Sequence, residues 1–360
     1  MIDPPRLISP AIPLLLSLRK FHPNATIIPY VPQGKMDQIP DRVLRFHNDH
    51  CAPIRELTQS LNFNHSRYNK PYLHGYKILA AAEERDTEYC IFLDTDTYLN
   101  QPFDDAIILH RDAVSVVPES VAGYARRFTE IWDATYAIFG LTTPTERVRM
   151  LRTDREHPPY FNAGFVAFPE TTPSGQRFGK VWLETAMTLD YDASVNHEAK
   201  RPWLDQASLP VAILRAGCRS NILPPEFNYP VDKNIPPSDA VRLYHYHGIE
   251  RLQEADHTAD IESLLVDSGM FTSLEHYLAP REKMRAEAAV YWKEIADLAD
   301  KRRAIKAKLQ NPDNDPDFSA SPIRKEIQSL KKKEAELRTE CDKIVEALYY
   351  DDAWLMPQRA

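Results

Sequence analysis

The segment Tyr89-Cys-Ile-Phe-Leu-Asp-Thr-Asp96 stops an apolar, branched and aromatic run on two aspartates separated by one residue. A short continuous run of this kind predicts a strand covered on both faces, as in a parallel sheet between layers of helices. It constrains the fold more than any other stretch, because such a strand needs partners on either side and cover above and below. Strands of open α/β sheets deliver function at their carboxyl ends. Side chains repeat every second residue along a strand, so Asp94 and Asp96 can face one side, where two carboxylates repel unless a cation lies between them. Hard oxygen donors suit Mg²⁺ or Mn²⁺, whose remaining ligands are typically phosphate oxygens. The alternative is a solvated turn whose aspartates accept backbone N–H bonds.

The sequence before it alternates between helical and extended patterns. Ser9-Pro10 predicts a helix to Lys20 with serine as cap and proline in the first turn. Ala25 to Val31 reads as a strand despite Pro29, and Cys51 to Leu61 and Pro71 to Arg85 read as helices. Alternation of this type argues for an open α/β sheet. The helix from Ser9 has no strand before it, whereas nucleotide-binding α/β folds usually begin with one. The amino end is therefore expected to be truncated or differently built.

Composition narrows the class. A chain of 360 residues is long for one domain and predicts a main domain plus an appendage. Net charge is −8, and no Lys/Arg run is interleaved with aromatics over residues 1–280, so nucleic acid is not an expected partner. Cys51, Cys90, Cys218 and Cys341 are scattered without a Cys-x-x-Cys pair, as expected of free thiols in a reducing cytoplasm. Ala11 to Leu18 is far shorter than the roughly 20 residues needed to cross a bilayer. It contains Pro13, and no basic leader or small-residue cleavage site accompanies it. A cytoplasmic protein without a membrane span is the expectation.

Three further clusters follow in order. Tyr160-Phe-Asn-Ala-Gly-Phe-Val-Ala-Phe168 reads as a small polar turn feeding a buried strand, in which Gly164 lets the backbone approach a ligand and Asn162 offers a donor and an acceptor. Trp203-Leu-Asp-Gln-Ala-Ser-Leu209 sets an acid beside an amide ahead of an apolar helix. Tyr244-His-Tyr-His-Gly-Ile-Glu-Arg251 offers two imidazoles on one strand face, a glycine turn and a cation. Each has a plain alternative: a loop asparagine, a helix cap, a satisfied histidine.

The ordered set Asp94-Thr95-Asp96, Phe161-Asn162-Ala163-Gly164, Asp205-Gln206 and His245-Tyr246-His247-Gly248 resembles the retaining GT-A glycosyltransferases of family 8, the group that includes glycogenin. Lys77 stands where that family has a basic residue in the helix before Asp-x-Asp. The resemblance spans roughly Ser9 to Arg251. It implies a Rossmann-like GT-A domain over residues 1–279 and a divalent metal, Mn²⁺ or Mg²⁺, held by Asp94, Asp96 and His245. It also implies a nucleotide-sugar donor, UDP-glucose or UDP-galactose, and an unidentified glycan, protein or small-molecule acceptor. Thr95 and Gly248 belong to the donor-binding motifs, Lys77 and Arg251 add charge at the diphosphate, and Asn162, Ala163 and Gly164 line the sugar pocket. Asp205 and Gln206 are the implied catalytic pair on the face opposite the leaving group. Asp205 can hold sugar hydroxyls or attack, whereas an amide is a weak nucleophile, so front-face displacement with retention is favoured. Arg251 is followed by Leu252 and Gln253, where the family has lysine in a Lys-Pro-Trp context, so a fork replaces a point charge.

A haloacid-dehalogenase-type phosphatase also ends a strand on Asp-x-Asp. That group wants the motif on its first strand and Thr or Val two residues after the second acid, where this chain has Tyr98. The remaining alternative is a non-catalytic scaffold on a degenerate transferase domain. Between Glu119 and Pro159, residues Tyr124, Arg126, Arg127, Trp132 and Tyr136 fit an acceptor cleft or lid, or equally a helical core.

Past residue 280 the pattern changes. Met284, Ala288, Tyr291, Ile295, Leu298, Arg302, Ile305 and Leu309 are spaced by fours and threes, as are Ile323, Ile327, Leu330, Glu334, Leu337, Cys341, Ile344 and Leu348. Asn311-Pro-Asp-Asn-Asp-Pro316 breaks the first helix and Ser321-Pro322 starts a second. Residues 280–360 are thus expected to form an antiparallel coiled-coil hairpin that packs on the catalytic domain or mediates homo-oligomer or partner contacts. Arg302 and Glu334, polar within apolar seams, are candidates for fixing its register.

Overall fold

The protein is described by a computed structural model covering residues 1–4, 7–64, 71–125, 130–196, 200–201, 203–231, 239–248, 251, 258–310 and 320–349. It divides into two compact units, Met1–Leu264 and Leu265–Ala360. The first is mixed α/β.

Along the chain, β1 (Tyr30–Val31) pairs in parallel with β2 (Arg55–Glu56). Then come β3 (Tyr89–Leu93), β4 (Thr97–Leu99) and β5 (Ala113–Pro118), followed by the short antiparallel pair β6 (Val148–Arg149) and β7 (Glu156–His157). The long β8 (Phe161–Pro169) precedes β9 (Arg219–Ile222), β10 (Tyr229–Pro230) and β11 (Leu243–His245). The main sheet has the order β3-β8-β5-β9, and β8 runs antiparallel to both neighbours while β9 is parallel to β5.

The expected environment of the Asp-x-Asp strand is therefore corrected. β3 lies at one end of the four-strand order and only its Phe92 is buried. The central, doubly covered place goes to β8, which is buried at eight of its nine positions. An apolar run states that a strand is covered but not where it lies in the sheet, and the longer run takes the centre. Asn162 to Gly164 lie within β8 rather than in a turn, opposite a register shift between Val116 and Val117. Glycine inside a strand commonly marks such an irregularity or a close approach.

Helices α1 (Ile8–Phe21), α2 (Asp41–His50) and α3 (Gly75–Ala82) come first. They are followed by α4 (Asp105–Ile108), α5 (Glu130–Ala137), α6 (Phe178–Tyr191) and α7 (Leu204–Arg215). Ser9 lies inside the first turn of α1, which has no side-chain cap. Ile2 N–H donates to the Tyr30 carbonyl at 2.7 Å, so the chain ahead of α1 lies against β1. The helix expected over Cys51 to Leu61 is absent. Pro53 disfavours helical backbone at Ala52, and the segment instead extends along β1, with Arg55 N–H donating to Pro29 and Leu57 N–H to Val31.

Helix α3 is shorter than its pattern predicts, yet it is held closely. A Cβ on Gly179 of α6 would stand 1.9 Å from the Ala81 carbonyl oxygen, so the backbones of α3 and α6 touch where only glycine fits. The contact lies one turn past Lys77, which is in the first turn of α3. The Glu119 to Pro159 stretch resolves toward the core alternative. Tyr124, Trp132 and Tyr136 are fully buried, with Tyr124 edge-on to Trp132 at 4.8 Å between centroids. Arg126 and Arg127 lie outside the described residues.

One buried histidine should make the fold acid-sensitive. His47 of α2 is buried and its Nε2 has no partner among the described residues. Burial above all pushes its pKa down to about 4, against about 6.5 in an unfolded chain. Between those values the unfolded state binds the extra proton, so stability is present above the window and is lost as pH falls through it. The loss amounts to roughly 3 kcal/mol. Urea unfolding near pH 7 and near pH 4.5 should show a markedly smaller acid loss for His47→Leu. Equal losses in the two proteins would assign the sensitivity elsewhere.

In the second unit, α8 (Leu274–Gln310) and α9 (Ala320–Tyr349) pack on each other. Arg302 meets Glu334 at 3.3 Å and Glu294 meets Lys333 at 2.8 Å across the pair. Ala288, Ile295, Leu298 and Cys341 are buried. The connecting residues 311–319 and the side chains of Met284, Leu309, Ile344 and Leu348 lie outside the description. All four cysteines are free thiols. Among the described residues no helix is long and apolar enough to cross a membrane.

Candidate functional site

Two of the three sequence clusters are tied to the Asp-Thr-Asp loop by backbone hydrogen bonds, and the third reaches it through side chains. The loop leaves the main sheet at the end of β3 and enters a second sheet, of order β10-β11-β4, at Thr97. Asp94 N–H donates to the Gly164 carbonyl at 2.9 Å, and Tyr246 N–H donates to the Asp96 carbonyl at 3.1 Å. Thr97 pairs with His245 in the β4–β11 ladder. The hydroxyl of Thr95 turns to the Met1 carbonyl, so it supports the loop from behind.

The two aspartates diverge. Asp94 Oδ2 accepts from Lys77 Nζ at 2.8 Å, and the same ammonium lies 3.1 Å from Asp205 Oδ2. The other Asp205 oxygen accepts from the Tyr72 hydroxyl at 2.7 Å, and Asp205 N–H donates back to that hydroxyl at 2.9 Å. Lys77 and Asp205 are both buried. Burial opposes charge on each, but the mutual attraction wins: the Lys77 ammonium is held above its ordinary range and the Asp205 carboxyl below its own. Burial raises the Tyr72 phenol well above its usual value, keeping it a hydroxyl donor.

Asp96 instead faces two imidazoles. His245 Nε2 stands 3.3 Å from Asp96 Oδ1, and His247 Nδ1 stands 3.9 Å from Asp96 Oδ2. Burial disfavours the charged forms of Asp96 and His245, yet their mutual attraction outweighs it, lowering the carboxyl and raising the imidazole. Burial, then the charge of His245, pushes His247 down to about 4. The three residues offer one carboxylate oxygen and two nitrogens, all within 4.8 Å of one another.

A third group lies beside them. Glu119 Oε2 accepts from Asn162 Nδ2 at 2.7 Å and from Gln206 Nε2 at 2.9 Å. The Gln206 carbonyl accepts from the Tyr160 hydroxyl, and Asn162 Oδ1 accepts from Asn228 Nδ2 and Gly164 N–H, each at 2.8 Å. Asn228 Oδ1 is buried with no partner among the described residues. A cleft lined by Glu119, Asn162, Asn228, His245 and His247 joins this network to the Asp96 cluster.

Four of the expected positions make contacts of their own. Gly164 gives close approach to a histidine: a Cβ there would lie 2.7 Å from His245 Cε1. Ala163 is fully buried in the hydrophobic core. The Arg251 guanidinium donates to the Val231 carbonyl at 3.3 Å, and its charge is close enough to oppose protonation of His247. Gly248 N–H donates back to the Tyr246 carbonyl at 2.5 Å. Sequence reasoning passed over Glu119, Tyr72, Tyr160 and Asn228. Glu119 carried a usable signal, since it ends the apolar run of β5 as Asp94 ends that of β3. The other three are placed by tertiary packing alone.

A family model described as the Rhodobacterales glycosyltransferase domain matches residues 1–217. The match takes in Lys77, Asp94 to Asp96, Asn162 to Gly164, Asp205 and Gln206, and stops before His245. No curated protein matches the chain. Because the match covers more than half of the 360 residues, the chain belongs to the Rhodobacterales glycosyltransferase domain family.

Proposed function

We propose that the protein is a divalent-metal-dependent glycosyltransferase of the GT-A, family 8 type. It moves a hexose from a nucleotide-sugar, UDP-glucose or UDP-galactose, to an acceptor with retention of configuration. The observation that carries this reading is the meeting, at one cleft, of the two imidazoles of the Asp96 cluster with the network linking Asn162 to Gln206, while the Lys77 ion pairs join them through the Asp94-Thr95-Asp96 loop.

The donor set fits a metal chemically, because a carboxylate beside two imidazoles is a mixed ligation that Mn²⁺ accepts. Asp96 and His245 would hold the ion. A bound divalent cation supplies Lewis-acid stabilisation of the departing diphosphate. Lys77 adds fixed positive charge beside Asp94, and Arg251 adds another near His247. Neither oxygen of Asp205 is idle, since one is ion-paired and the other hydrogen-bonded. A carboxylate so engaged is a poor nucleophile, which supports displacement on the front face, with the leaving diphosphate taking the acceptor proton. The Gln206 amide is held at both ends by Glu119 and Tyr160, a fixed dipole on the opposite face. Glu119, Asn162 and Asn228 offer donors and acceptors for sugar hydroxyls. The two long helices are read as an antiparallel coiled-coil hairpin whose register is set by Arg302 and Glu334.

Incubation of the full chain with UDP-glucose or UDP-galactose is expected to release UDP when Mn²⁺ is supplied and not when it is chelated. Absence of UDP release from every nucleotide-sugar tried, with no metal-dependent shift in melting, would favour a non-catalytic scaffold.

A further inference from the structure

The resemblance to family 8 implies one histidine and two aspartates around the metal, yet the side chains are grouped differently. Asp94 is committed to Lys77 at 2.8 Å, and it is absent from the ligand cluster among the described residues. His247 is present in it. His247 has φ of +53°, a left-handed conformation uncommon for a residue with a side chain. That conformation comes two residues past the end of β11 and folds the His247 ring back over His245, with 4.0 Å between ring centroids. An extended continuation of the strand would also point residues 245 and 247 to one face, but about two strand steps apart. The left-handed residue closes that gap.

We propose that the metal is held by Asp96, His245 and His247, with Asp94 acting as the anchor of Lys77 rather than as a direct ligand. This rests on the metal-dependent reading above and specifies its ion. Two donors bound to one ion at about 2.1 Å each stand no more than about 4.2 Å apart. The contacts of 3.3 Å and 3.9 Å from the two oxygens of Asp96 to the two imidazoles each meet that limit, and one donor atom from each of the three residues lies within 4.8 Å of the others, so a small side-chain rotation would close the set on an ion. A face of one carboxylate and two imidazoles suits first-row transition ions, whereas Mg²⁺ prefers carboxylate, carbonyl and water oxygens. The site therefore selects Mn²⁺, Co²⁺ or Zn²⁺ over Mg²⁺. His245 and His247 line the cleft with Asn162 and Asn228, and diphosphate oxygens bound there would supply the remaining ligands.

Pulsed electron paramagnetic resonance on the metal-stripped full chain reloaded with Mn²⁺ tests this without any turnover. Two histidine nitrogen couplings are expected in the wild-type protein and one in His247→Leu. By calorimetry, Mn²⁺ affinity should fall at least about tenfold in His247→Leu and stay within about threefold in Asp94→Asn, while Mg²⁺ fails to displace Mn²⁺ from the wild type at equal concentration. A single nitrogen coupling in the wild-type spectrum would overturn the assignment of His247 whatever the variants do. Loss of Mn²⁺ in Asp94→Asn equal to that in Asp96→Asn, in a variant that melts as the wild type does, would restore Asp94 as a ligand. If the wild type binds no Mn²⁺ with or without UDP, the metal-dependent reading itself falls.

Discussion

Lys77→Met is expected to cost about 3–5 kcal/mol of folding stability, the usual consequence of removing one partner from buried charges. Lys77 is the common partner of Asp94 and Asp205, at 2.8 Å and 3.1 Å, and Asp205 is nearly inaccessible. Removing the ammonium leaves two carboxylates facing one another in a site shielded from solvent. In the wild-type protein the Asp205 carboxyl lies below its ordinary range, so its contribution is present above the unfolded value and is lost as pH falls through the folded one. In the variant the sign reverses. An unpaired buried carboxylate prefers its proton, so the penalty should shrink as pH falls from about 7 to about 5. Denaturant unfolding at both pH values measures this, and adding Asp205→Asn should recover part of the loss through direct coupling. A neutral-pH cost under about 1 kcal/mol would mean that water or other groups satisfy the two acids.

Asp96→Ala should reduce Mn²⁺-dependent affinity for UDP by about 100-fold or more while leaving the melting temperature nearly unchanged. Asp96 is the single carboxylate in the cluster with His245 and His247. Its fold-supporting bond, from Tyr246 N–H, is made to the backbone carbonyl and survives the substitution. The two imidazoles that remain are neutral donors and cannot offset the charge of a divalent ion. Calorimetric titration of UDP with and without Mn²⁺ gives the result directly, and unchanged affinity in the variant would remove Asp96 from the site. The contrast between the two substitutions follows from their surroundings: Lys77 neutralises charge inside the packed domain, whereas Asp96 is partly exposed beside two imidazoles that line the cleft.

Much of the site was legible in the sequence because its residues end apolar runs. Asp94 and Asp96 end β3, His245 ends β11, and Asp205 and Gln206 open α7. At each boundary the chain leaves a packed element, so a polar residue there has somewhere to go. The same logic extends to Glu119 at the end of β5, and following it would have found the residue that links Asn162 to Gln206. Sheet position was less legible. An apolar run reports cover without naming neighbours, so β3 read as central although β8 holds that place. The helix expected at Cys51 failed for a different reason, because pairing along β1 outweighed a weak local preference.

What the sequence determined by itself was local: which segments are apolar, where they stop, and which acids, amides and imidazoles stand at the stops. Tertiary structure alone decided the partnerships. Asp94 and Asp96 are separated by one residue, yet one meets Lys77 from α3 and the other meets His245 at the end of β11 and His247 just past it. The physical reason is that the loop between them passes from one sheet to another, bonded to Gly164 on one side and Tyr246 on the other. Charges so close in the chain acquire different roles because electrostatics depends on distance in space, and the crossing between sheets sets those distances.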